Sequence, residues 1–132
     1  MNKYEYCEAI IKESSHSFYK AFSQLEKDKA NAVFSVYAFC RTADDAVDID
    51  HDIEKVNTLK KHVKRTFEGD VPNELMFEAL YETFMRYPTS IAPYLDLLDG
   101  MRDDYYSKPI ETEADFDEYC YKAASTVGLM LL

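Results

Sequence analysis

The segment Tyr37-Ala38-Phe39-Cys40-Arg41-Thr42-Ala43-Asp44-Asp45-Ala46-Val47-Asp48 carries the residues best suited to chemistry. At about 100° per residue on a helix, Tyr37, Arg41, Asp44 and Asp48 fall within a stripe roughly 60° wide. Val33, Val36, Cys40, Ala43 and Val47 form an adjacent apolar face. A charged row therefore borders the predicted core. Two carboxylates at i, i+4 lie about 6 Å apart and cost an isolated helix roughly 0.2–0.5 kcal/mol. That cost is offset if both serve one Mg²⁺ or two neighbouring ones, because this ion takes one or two protein carboxylates and completes its octahedron with water and phosphate oxygens. The plainer alternative pairs Arg41 with Asp44 or Asp45 and leaves the aspartates as a solvated acidic face. A calcium loop starting at Asp48, with Asp50 and Asp52, fails: Ile53 stands where the turn glycine is needed and Leu59 where a bidentate Glu is needed.

The elements that must position this row are helices. The chain has 132 residues, enough for one domain, residues 1–132, burying roughly two thirds of its extended-chain surface. Hydrophobic residues make up 47%, including 11 Tyr and 8 Phe, which supplies a core; 3 Gly and 4 Pro are too few for many short strands and turns. No glycine-rich loop is present to cradle a nucleotide phosphate. Periodicity predicts helices over 4–14, 27–49, 53–67, 74–86 and about 90–106. A short apolar turn near Phe22 follows the Ser-His-Ser-Phe break, and a further helix is capped near Thr112, with Glu113 and Asp115 in its first turn. Asp50 and Asp52 break one helix and cap the next, and Gly69 with Pro72 stops the one after.

Lys+Arg 15 against Asp+Glu 25 gives a net charge of −10. This balance argues against nucleic acid and an anionic membrane face, and a phosphorylated ligand, if one binds, is expected to be held through divalent cations. Cys7, Cys40 and Cys120 are few and far apart, consistent with reduced thiols in a cytosol. With no apolar signal core at the N-terminus and no run of about 18 apolar residues, a cytoplasmic protein is expected. The last helix closes on Val127-Gly128-Leu129-Met130-Leu131-Leu132 without a polar face or stop signal. Either this tail is buried in a second copy or the chain is a piece of something longer, and the absent stop signals favour the piece. His16, His51 and His62 lack ligand spacing and read as surface residues. Asp96, Asp99 and Asp103 share a face directed at solvent.

Four ordered blocks resemble the signature of the squalene/phytoene synthases. They are Ser15-His16-Ser17-Phe18 with Phe22, the segment from Val36 to Asp48, Asp99-Gly100-Met101-Arg102-Asp103-Asp104, and Tyr119 to Gly128. The resemblance spans nearly the whole chain, with the bacterial phytoene and dehydrosqualene synthases most similar. It implies an all-α isoprenoid-synthase fold, of which this chain is the N-terminal half. The implied activity is head-to-head condensation of two prenyl diphosphates through a cyclopropylcarbinyl diphosphate. It places Mg²⁺ on Asp44 and Asp48, and the diphosphate near Ser15, Ser17, Tyr37 and Arg41. Phe18, Phe22, Tyr121 and Val127 then line the prenyl cavity, and Asp104 falls on a family aspartate of unassigned role.

Such chemistry suits these residue types. Departing diphosphate needs its charge neutralised, and the carbocation left behind needs aromatic faces and exclusion of water. Two departures are visible. Ala123-Ala124-Ser125 stands where the family has Val-Ala-Gly, and the second aspartate-rich motif lies beyond Leu132, so little turnover is expected of this chain alone. A lipophilic product implies peripheral membrane contact, and a homodimer through the apolar tail remains a further expectation. The alternative function is a non-catalytic acidic helical module that oligomerises through residues 127–132.

Overall fold

A computed structural model describes residues 1–49, 52–88, 90–92 and 94–99, except for the side chain of Asp48. Five helices follow in order: α1 (Lys3–Ser14), α2 (His16–Phe22), α3 (Lys27–Asp48), α4 (Ile53–Glu68) and α5 (Leu75–Arg86). Residues 94–99 are also helical, and no strand occurs among the described residues. The centre of the bundle is α3, which packs against all four other helices. Its composition dictates this place: every residue from Ala32 to Cys40 is buried, so it needs neighbours all round.

The helix ends follow local chemistry. Ser15, extended at φ −150°, closes α1 through its N–H to the Ile11 carbonyl and opens α2 by accepting from Phe18 N at 3.4 Å. The stretch predicted as a short apolar turn is thus a two-turn helix. No residue of it is fully buried, and that lack of a clear apolar face hid its periodicity. Asp52 caps α4, its carboxylate accepting from Glu54 N at 3.0 Å.

At the other end of α4, Gly69 takes φ +91°, and Asp70 N reaches back to the Arg65 carbonyl at 2.9 Å. The Arg65 guanidinium then meets Asp70 at 2.9 Å and holds that carboxyl below its ordinary range. A Cβ at Gly69 would meet nothing within 4 Å, so backbone conformation alone sets the cost of substitution. Gly69→Ala is expected to destabilise the domain by about 1 kcal/mol, read as a lower urea midpoint with an unchanged slope.

Aromatic rings fill the space between α3, α4, α5 and residues 94–99. Phe39 meets Phe77 at 6.4 Å and Tyr94 at 5.5 Å, while Phe84 meets Phe67 at 4.0 Å and Tyr94 at 5.2 Å. Tyr94, Leu97 and Leu98 are buried as their spacing predicts, and burial pushes the Tyr94 phenol up. Asp99, predicted to face solvent, is exposed but pairs with Lys60 at 2.9 Å, tying this segment to α4. Between α3 and α5 one buried polar contact fixes register: Ser35 Oγ and Thr83 Oγ1 lie 2.8 Å apart. Each also lies within reach of a carbonyl of its own helix, so one hydroxyl donates across to the other, which donates to its carbonyl, and both stay satisfied in the core. Cys7 and Cys40 are buried free thiols, and burial raises Cys7 to about 12, which makes it a poor nucleophile.

Candidate functional site

The C-terminal half of α3 places Tyr37, Arg41 and Asp44 on successive turns. Tyr37 is fully buried and Asp44 is 3% exposed, so Asp44 does not belong to a solvated acidic face. Burying a carboxylate costs several kcal/mol unless it is paired. Arg41 supplies a partner: Nη1 lies 3.7 Å from Asp44 Oδ2, and Nε lies 3.3 Å from Asp45 Oδ1. Both pairings foreseen for Arg41 thus occur together. α3 runs on through Asp48 one turn later, although that side chain lies outside the described residues.

α2 brings the Ser-x-Ser-Phe block to the same helix. Phe18 sets its ring edge-on to Tyr37 at 6.2 Å and meets Phe22 at 6.1 Å. Tyr19, unremarked in the sequence, anchors α2: its hydroxyl donates to Glu8 at 2.9 Å and its ring stacks on Phe34 at 5.8 Å. Ser15 is committed to capping, whereas Ser17 stands exposed in the first turn of α2. His16 is exposed as predicted. Tyr121, Val127, Asp103 and Asp104 lie outside the described residues, as do Cys120 and the tail at 127–132.

Beside this row opens a groove of about 800 Å³ walled by α1, α3 and α4. Arg41, Thr42, Asp45, Ala46 and Ile49 form one wall, and Lys55, Thr58, Leu59 and His62 face them; Tyr6, Ile10 and Glu74 help to close it. Tyr37, Asp44, Phe18 and Phe22 do not line its described walls. Arg41 therefore links the buried carboxylate to the open groove. The sequence reading missed Lys55, Thr58 and His62; their i, i+3, i+7 spacing was the available signal. His62 is not a plain surface residue, because its ring meets Phe77 at 5.3 Å and its Nδ1 lies 3.9 Å from Glu74.

Among the described residues, no group of three or more His, Cys, Asp or Glu side chains is placed to hold a metal ion by itself. The donors at hand on α3 are carboxylate oxygens. An all-oxygen, incomplete set fits Mg²⁺, which keeps waters and phosphate oxygens, and does not fit zinc.

The family described as squalene/phytoene synthase matches residues 11–132. The chain belongs to this family. Over 98% of its length the chain is 31% identical to a 4,4'-diapophytoene synthase of Staphylococcus haemolyticus, covering 47% of that protein. Over 96% it is 31% identical to a 15-cis-phytoene synthase of Synechococcus elongatus, covering 42% of it. A crystal structure of a dehydrosqualene synthase in complex with ligand superposes with a TM-score of 0.80 at 48% identity. It spans 98% of this chain and 46% of the other. The chain thus covers about half the length of the relatives it matches, and its all-α architecture is that of this synthase fold. Among the described residues no helix is long and apolar enough to cross a membrane.

Proposed function

We propose that this chain forms the N-terminal half of a Mg²⁺-dependent, cytoplasmic synthase that condenses two prenyl diphosphates head to head, giving a thirty- or forty-carbon carotenoid precursor. The observation that carries the reading is the placement of Tyr37, Arg41 and buried Asp44 on successive turns of α3, with Phe18 of α2 packed on Tyr37. In this reading Asp44 and Asp48 hold Mg²⁺, which when bound supplies Lewis-acid neutralisation of the leaving diphosphate. Arg41 adds a fixed, mostly buried positive charge in the wall of the groove, aimed at a phosphate oxygen. Ser15 holds α2 in place as its cap, which leaves Ser17 as the hydroxyl of that block open to a phosphate. The phenol of Tyr37 lies one turn before Arg41, and the rings of Phe18 and Phe22 exclude water from the prenyl end and offer π-faces to developing positive charge. The product is lipophilic, so peripheral membrane contact is part of the reading, as is a homodimer.

The experiment is a thermal melt of the chain with Mg²⁺, with a non-hydrolysable farnesyl diphosphate analogue, and with both. A rise only with both is expected. A polypeptide extended to the relatives' full length that forms no thirty- or forty-carbon hydrocarbon from farnesyl or geranylgeranyl diphosphate with Mg²⁺ overturns the reading.

A further inference from the structure

Arg41 stands between two carboxylates in unequal settings. The Asp44 side chain is 4% exposed, whereas the Asp45 side chain is 40% exposed and lines the groove together with Arg41. The shorter ion pair is to Asp45, and it uses Nε. A guanidinium is a rigid planar fork, so holding Nε fixes both the plane and the direction in which the terminal nitrogens point. Here one of those terminal nitrogens, Nη1, is the one turned to Asp44.

Helix support alone is a poor account of Asp45. A cation placed four residues before an anion is the less favourable order for an i, i+4 pair. A bare carboxylate on the wall of a groove that takes anions would also repel them. Its pairing with Arg41 removes that objection and gives the residue a task.

We infer that Asp45 is a positioning residue for Arg41, clamping the guanidinium by its Nε edge so that its terminal nitrogens are presented to Asp44 and to a diphosphate entering the groove. The diphosphate in this inference rests on the function proposed above. Asp45 itself touches no reacting atom; it acts through Arg41.

The test titrates inorganic pyrophosphate, in the presence of Mg²⁺, into the wild-type chain, Asp45→Asn and Asp45→Glu by calorimetry. The Arg Nε–H resonances of each are followed by NMR. Asp45 is exposed enough for both variants to fold, which circular dichroism checks. Asp45→Asn is expected to bind pyrophosphate about tenfold more weakly, the scale of a lost close ion pair, with the Arg41 Nε–H resonance displaced. Asp45→Glu restores most of the affinity and the resonance. Unchanged or tighter binding in Asp45→Asn identifies a repulsive bystander and overturns the inference, as does weaker binding with an unmoved resonance. If the wild-type chain takes up no pyrophosphate, the same titration on the polypeptide extended to the relatives' full length decides, and no uptake there removes the proposed function together with this inference. Wild-type uptake with an indifferent Asn variant removes only the role of Asp45.

Discussion

Asp44→Asn is expected to abolish the stabilisation that Mg²⁺ and a prenyl diphosphate analogue together confer on the chain. At 100 times its dissociation constant a ligand adds about 2.7 kcal/mol, roughly a 10 °C rise in melting temperature for a domain of this size. The substitution keeps the shape of the side chain and removes its charge. An amide oxygen is a far weaker ligand for a hard divalent cation than a carboxylate, and among the described residues no cluster of three or more His, Cys, Asp or Glu side chains is placed to compensate. Ligand-free stability moves much less, because two terms of opposite sign accompany the change. The chain loses the attraction between Arg41 and Asp44 but no longer buries a charge on a residue only 3% exposed. Melting curves of both proteins, with and without the two ligands, check this. An Asn variant that still responds in full would show that Asp44 is a structural partner of Arg41 and nothing more.

How deep Asp44 sits was not legible in the sequence, and the reason is physical. Helical spacing put Tyr37, Arg41 and Asp44 in one row and placed that row at the border of the core. Whether a border is covered depends on what lies over it, and at the Tyr37 end of this row the cover is α2, held by Phe18 on Tyr37 and Tyr19 on Phe34. Those are contacts between helices, invisible to periodicity within one. The long elements were legible because they carry whole turns of apolar residues and have chemical ends: Asp52 at the start of α4 and Gly69 at its close. α2 was not, since seven residues give too little pattern, yet its serine cap was present in the sequence. The groove residues show the converse difficulty. Lys55, Thr58 and His62 lie on a helix that reads as polar outside, and the packing of α1 and α3 decides which polar edge turns inward.

Phe77 backs the groove residue His62 from the core side, so the largest stability effect is expected there. Phe77 on α5 is fully buried, with its ring set nearly perpendicular to Phe39 of α3 and to His62 of α4. Phe77→Ala removes the ring from the junction of three helices. Lost transfer energy, the cavity left behind and the two edge-on ring contacts together cost about 3–5 kcal/mol. Against a total stability of about 5–15 kcal/mol for a domain, this is a large share. A fall in melting temperature of roughly 10–20 °C follows. Met85→Ala, on the same helix but 66% exposed, is the control and should stay within about 0.5 kcal/mol of wild type. Denaturant unfolding of the three proteins checks both values, and a small loss in Phe77→Ala would mean that α4 and α5 can close over the gap. That closure would carry His62 with it and shift one wall of the groove, so the same variant should then also bind the diphosphate analogue more weakly. Stability and binding are thereby linked through one ring: a core that holds its volume keeps the wall of the groove in place.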